Sequence, residues 1–129
     1  MKKLMNISCI IFLIIAVTLT FNAQDLKPKL TFIELGSVSC IPCKKMQPIM
    51  KSLEKKYGWQ LKIIFYDVWK SDHKDKAKKY GIRLIPTQIF LDEYGKEIHR
   101  HEGFYPEDDI DEFLQSKGLK PIKKKGADD

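Results

Sequence analysis

Apolar positions follow two periods along the chain, and their order predicts the elements. Leu30 to Leu35 (LTFIEL) is a compact apolar run closed by Gly36, too short for a helix, and reads as a buried strand. Ser37 to Cys40 is a loop. From Ile41 to about Tyr57, Met46, Ile49, Met50 and Leu53 recur at three- and four-residue steps, which makes one face of a helix ended by Gly58. Gln60 to Val68 alternates and then runs apolar, a second strand. Ser71 or Asp72 can cap a charged helix through Tyr80, stopped by Gly81. Thr87 to Leu91 is a strand, Asp92 to Gly95 a hairpin turn, and Lys96 to Glu102 the return strand. Gly103 breaks that strand, and a last helix runs from Pro106 to about Ser116 with Gly118 beyond it.

A helix joins the first two strands, so they should be parallel, while the last two form a hairpin. The expected fold class is therefore α/β: a central mixed four-stranded sheet, with room for a short extra N-terminal strand, flanked by helices on both faces. A chain of 129 residues fits one domain, and no period of 20–50 residues recurs, so a repeat array is excluded. Ordinary Gly (7) and Pro (6) counts with 11% aromatics exclude collagen-like and wholly disordered classes.

The N-terminus is set apart from this pattern. Lys2 and Lys3 precede a charge-free run from Leu4 to Gln24, the order of a basic n-region and an apolar h-region. Ala23 offers a small residue for cleavage, whereas Phe21 is a poor match at the minus-three position. The run is also long enough to span a bilayer as a helix of about 20 residues. Residues 1–23 are thus expected to be a signal peptide or a retained membrane anchor, residues 24–119 the folded domain, and residues 120–129 a basic tail. Either outcome at the N-terminus places the domain outside the cytoplasm. The chain carries 23 basic against 17 acidic residues, and Lys120, Lys123, Lys124 and Lys125 hold part of the excess. A short solvated tail accounts for these, and export argues against nucleic acid as a partner.

Export also sorts the cysteines. Cys9 lies inside the apolar run, which leaves Cys40 and Cys43 to the domain. Cys40-Ile41-Pro42-Cys43 follows the first strand and opens the first helix. A thiol at a helix N-terminus sees unpaired backbone N–H groups and the positive end of the dipole, and both favour the thiolate. The thiolate is the attacking species, so Cys40 is the candidate nucleophile. The spacing brings Cys43 within disulfide range, so it can resolve a mixed disulfide. A lone C-x-x-C is also half of many zinc sites. His99 and His101 could complete one, yet they alternate along a charged strand as solvent-facing residues do, and no metal or cofactor is expected. Asp72, His73 and Asp75 sit among lysines and read as a solvated helix. Trp59 and Trp69 flank the second strand and read as core or rim packing, with Trp69 the alternative candidate for a substrate surface.

Glu34 stands in a strand expected to be covered on both faces, where a charge is rarely kept without a partner or a task. Desolvation would raise its pKa and suit it to exchanging a proton with Cys43. An edge position open to water is the alternative. Pro86, just before a strand, marks a boundary or a cis peptide.

Together these residues resemble the thioredoxin superfamily over about Leu30 to Leu119, its exported branch in particular. Cys40-Ile41-Pro42-Cys43-Lys44 looks like the family's active-site motif, and Pro48 matches its helix-kinking proline. Lys79-Tyr80-Gly81-Ile82-Arg83 with Ile85-Pro86-Thr87 is similar to the cis-proline segment, and Gly103 falls where the family has a glycine beside the site. The resemblance implies a thioredoxin-like fold, a cis Ile85–Pro86 bond packed against the Cys pair, and Glu34 in the buried-acid position. It implies substrate contacts at Ile85, Pro86, Ile41 and Pro42, with the Ile85 backbone pairing to an extended client. Ser39 replaces the tryptophan common before the first cysteine, and Ile63 appears where thioredoxins often have a buried lysine. The implied function is an exported thiol–disulfide oxidoreductase, reducing protein disulfides as a monomer and recharged by a membrane thiol donor. A disulfide oxidase or isomerase is the first alternative. A non-catalytic binding module with a structural disulfide or a metal-bound Cys pair is the second.

Overall fold

The computed structural model describes residues 27–122, so the N-terminal segment read as signal or anchor and most of the basic tail lie outside the described residues. The elements run β1 (Leu30–Gly36), α1 (Ile41–Tyr57), β2 (Leu61–Asp67), α2 (Lys74–Lys79), β3 (Thr87–Asp92), β4 (Glu97–Glu102) and α3 (Glu107–Ser116). The sheet order is β2-β1-β3-β4. β1 pairs parallel with β2 and antiparallel with β3, and β3 pairs antiparallel with β4. The mixed four-stranded sheet flanked by helices is as the pattern predicts. Among the described residues no strand precedes β1, and no helix is long and apolar enough to cross a membrane.

β1 is central, which is why its residues are apolar on both faces. Leu30 and Phe32 enter a cluster with Met46, Ile49, Met50, Leu53 and Tyr57 of α1 and Ile110 and Leu114 of α3. Ile33 and Leu35 enter a second cluster on the opposite face, with Val68, Ile89 and, from the α2 side, Ala77 and Tyr80. Each large apolar side chain so enclosed contributes about 1.5–3 kcal/mol relative to exposure. α1 therefore rides on β1 with the Met46–Tyr57 stripe inward, and its N-terminus comes to the end of β1 that leads out at Gly36. Ser52 donates to Glu107, and Asp111 accepts from both Lys56 and Tyr57, which locks α1 to α3.

Four expectations are corrected. The charged helix after β2 is split into a short 3₁₀ turn, Ser71–His73, and α2. His73 occupies the N-cap position without a side-chain bond, and Ser71 spends its hydroxyl on Asp72 instead. His99 and His101 are not solvent-facing: the β3–β4 register puts them on the face of Phe90 and Gln88. There His99 stacks on Phe113 (4.5 Å between centroids) and His101 on Tyr105 (3.9 Å). Sequence alternation cannot show which face a helix will cover. Trp59 and Trp69, read as core or rim, are more than half exposed, which excludes the core position. Finally, the chain from Lys120 to Ile122, read as the start of a solvated tail, is tied to the domain: the Gln60 side chain bonds both backbone groups of Lys120, and the Ile122 N–H donates to Lys56.

Candidate active site

β1 ends at Gly36, and the loop from Ser37 delivers Cys40 as the N-cap of α1, in extended backbone (φ −88°, ψ 127°). Cys40 and Cys43 are joined by a disulfide, their Cα atoms 5.2 Å apart. The Cys40 sulfur accepts the Cys43 N–H at 3.3 Å. Pro42, in the first turn, has no N–H to offer, so the Cys43 amide is the donor, and the Cys40 sulfur takes the accepting role that a serine or aspartate oxygen ordinarily plays at an N-cap. Sulfur in that position gains the most from bearing negative charge. The two sulfurs differ in access, with Cys40 9% exposed and Cys43 wholly enclosed.

The enclosure of Cys43 comes from β1. A Cβ on Gly36 would stand 3.1 Å from the Cys43 sulfur and 3.4 Å from Phe65, a tight fit, so glycine lets the strand back closely against the cysteine. Alternation along β1 puts Phe32, Glu34 and Gly36 on this same face. Glu34 is fully buried, which excludes the water-exposed edge position, and it sits one pleat repeat from the glycine that touches Cys43. Burial pushes its carboxyl up from 4.5 to about 8, partly offset by the Gln88 amide across the ladder. Neither carboxyl oxygen has a hydrogen-bond partner, so the Gln88 influence is that of a neighbouring dipole.

The Ile85–Pro86 peptide is cis. Leu35 and Thr87 are the last paired residues of β1 and β3, so Gly36 and Pro86 come next, and the cis bond lies at the Cys40 end of the sheet. Pro86 is buried, and its carbonyl accepts the Gly103 N–H at 2.8 Å. Gly103 has φ +92°, a conformation that favours glycine. The first helical turn leaves Ile41 71% exposed beside the disulfide. Glu34, Cys40, Cys43, Ile41, Pro42, Ile85 and Pro86 thus gather at one end of the sheet. His99 and His101 are engaged elsewhere, bonding Tyr105 and the Phe104 carbonyl, so they do not complete a ligand set with the cysteines.

Two residues at this end escape sequence reasoning. Asp67 ends β2, and its carboxylate accepts the Val38 N–H (3.3 Å) and the Trp69 N–H (3.2 Å), tying the loop before Cys40 to the loop after β2. Burial alone would raise this carboxyl, but those two amides, Ser37 and Lys70 hold it below its ordinary value. Gln88 is fully buried beside Glu34. In both cases a polar residue interrupts an apolar run (FYDV, TQIF), and that interruption is the available signal.

A family model described as a thioredoxin-like domain matches residues 19–118. The chain belongs to the thioredoxin superfamily. It is 33% identical over 75 residues to a thioredoxin of Bacillus subtilis (strain 168), covering 58% of this chain and 69% of that one. It is 32% identical over 81 residues to a thioredoxin of Chlamydia caviae, covering 63% and 76%. Among solved structures, it resembles the reduced thioredoxin pre-protein of Schistosoma mansoni with a TM-score of 0.58 at 26% identity, over 70% of this chain and 80% of that one. A mutant thioredoxin from Halobacterium salinarum shares the fold at 20% identity, with a TM-score of 0.58 over 70% and 75%. This is a thioredoxin-like redox protein with a Cys40–Cys43 pair, and its chemistry is thiol–disulfide exchange.

Proposed function

We propose that the protein is an exported thiol–disulfide oxidoreductase that works in the reducing direction on disulfides of other proteins. The observation that carries the exchange chemistry is the asymmetry of the pair: Cys40 caps a helix and reaches solvent, while Cys43 is enclosed above a buried acid. In the reduced protein, the Cys40 thiolate attacks a client disulfide. A Cys40–client disulfide forms and the client's other sulfur leaves with the electron pair. Cys43 then gives its proton to the Glu34 carboxylate and attacks the Cys40 sulfur. The Cys40–client bond breaks, the Cys40–Cys43 disulfide closes, and the client has gained two electrons. Pro86 and the Ile85 backbone hold the client strand alongside, with Ile41, Pro42 and Trp69 as its apolar bed.

Export rests on the charge-free run after Lys2 and Lys3. A reductase outside the cytosol needs recharging, so a membrane thiol donor belongs to the cycle, and nucleic acid does not. The protein acts as a monomer, bound to the membrane only through its N-terminal segment if that is kept. The reducing direction rests on Ile-Pro between the cysteines and Ile before Pro86. Equilibration with glutathione tests it: the pair should fall nearer about −270 mV than about −120 mV. A potential more positive than about −150 mV would mark an oxidase or isomerase, and a pair inert to glutathione would mark a binding module with a structural disulfide.

A further inference from the structure

Among the described residues, six buried side-chain polar atoms have no hydrogen-bond partner, and four belong to Glu34 and Gln88. These two residues are direct cross-strand partners in the β1–β3 ladder, both fully buried and on the same face of the sheet. Buried polar groups are ordinarily satisfied, so a concentration of orphans at one spot calls for a task. Here it lies one pleat repeat from the glycine that touches Cys43.

Among the described residues, Gln88 is the polar side chain that the neighbouring strands set opposite Glu34. On the other side of β1, β2 sets Phe65 opposite it and Ile63 one repeat away, and neither carries charge. From α1 the titratable group is Cys43. Beyond Gln88, β4 sets His101, whose ring is stacked on Tyr105 and bonded to the Phe104 carbonyl. An amide carries both a donor and an acceptor on one planar group and stays neutral. By turning, it can accept from a carboxylic acid and donate to a carboxylate, so it fits both states of a carboxyl that gains and loses a proton.

We propose that Gln88 is a positioning residue for Glu34: its amide holds the carboxyl in line with Cys43 and follows it through both protonation states. The inference rests on the proton exchange between Glu34 and Cys43 proposed above. An apolar residue at 88 would remove the amide dipole set opposite the carboxylate, so Glu34 would release its proton only at higher pH and resolution by Cys43 would slow at neutrality. The lowering influence of Gln88 on the Glu34 carboxyl agrees with this direction.

The test follows release of a chromogenic aryl thiol from a Cys40 mixed disulfide across pH, in the full-length protein. Gln88→Met, close in size, should move the midpoint of the resolution profile up by about one pH unit and slow release at pH 7 about tenfold. In a Glu34→Gln background the same change should do nothing further. Gln88→Asn, which withdraws the amide by one methylene, should shift the midpoint the same way and decides the matter if the Met variant does not fold. An unmoved midpoint in a folded Gln88 variant overturns the proposal, as does an equal slowing in the Glu34→Gln background. If Glu34→Gln alone leaves the profile unchanged, the proton exchange itself fails, and that result is distinct.

Discussion

Cys40→Ser should lose disulfide reduction by at least about a thousand-fold, because the hydroxyl it leaves at the helix N-cap is no substitute for a thiolate at neutral pH. The complementary change is more informative. Cys43→Ser keeps the capped nucleophile but removes the resolving sulfur, so the protein should stall as a covalent Cys40–client disulfide that a reductant releases. Mass spectrometry of each variant after incubation with oxidised insulin distinguishes the two: adduct on Cys43→Ser, none on Cys40→Ser. The assignment rests on access. Cys43 is wholly enclosed, with β1 backed against it at Gly36, whereas Cys40 is the sulfur a client can reach. Adducts forming through Cys43 instead would reverse the roles.

Glu34→Gln should have two effects of opposite benefit. Resolution by Cys43 should slow about 100-fold, the usual contribution of a positioned general base, and lose its rise with pH. In the wild type, with the carboxyl near 8, the base form is scarce at pH 6 and abundant at pH 9, so resolution should climb through about pH 8. Stability should move the other way. The folded protein holds the Glu34 proton more tightly than the unfolded chain does, the carboxyl being raised from 4.5 to about 8. The stability this gives is fully present below pH 4.5 and is lost as pH rises through about 8, on the order of 4–5 kcal/mol in all. Gln does not titrate and is spared that loss. Thermal unfolding of the oxidised proteins at pH 5 and pH 8 should show the variant's advantage in Tm widening by at least about 10 °C. A constant gap would mean that the carboxyl is not held neutral by burial.

The order and type of the elements were legible because each has a period of its own: the α1 stripe at helical steps, the doubly apolar β1, and the hairpin turn at Asp92–Gly95. The chemistry was legible for a related reason. A strand, a loop and a helix start in immediate succession place Cys40 at the N-cap whatever the rest of the chain does. What escaped detection depends on contacts between segments far apart in sequence. His99 and His101 look exposed until α3 is known to cover their face with Phe113. Asp67 holds Val38, 29 residues away, with the same carboxylate that bonds Trp69. Gln88 acquires meaning only when the β1–β3 register sets it opposite Glu34. Trp69, at a strand end, reads as core or rim, yet its N–H bonds Asp67 while its ring is 60% exposed.

The most direct test is alkylation of the reduced protein by iodoacetamide as a function of pH, with each site read by mass spectrometry. If the helix start acidifies its capping sulfur, Cys40 should label with a midpoint near about pH 7, well below the free-thiol value of about 8.5, while Cys43 stays protected. Equal labelling of both cysteines with a midpoint near about 8.5 would contradict it.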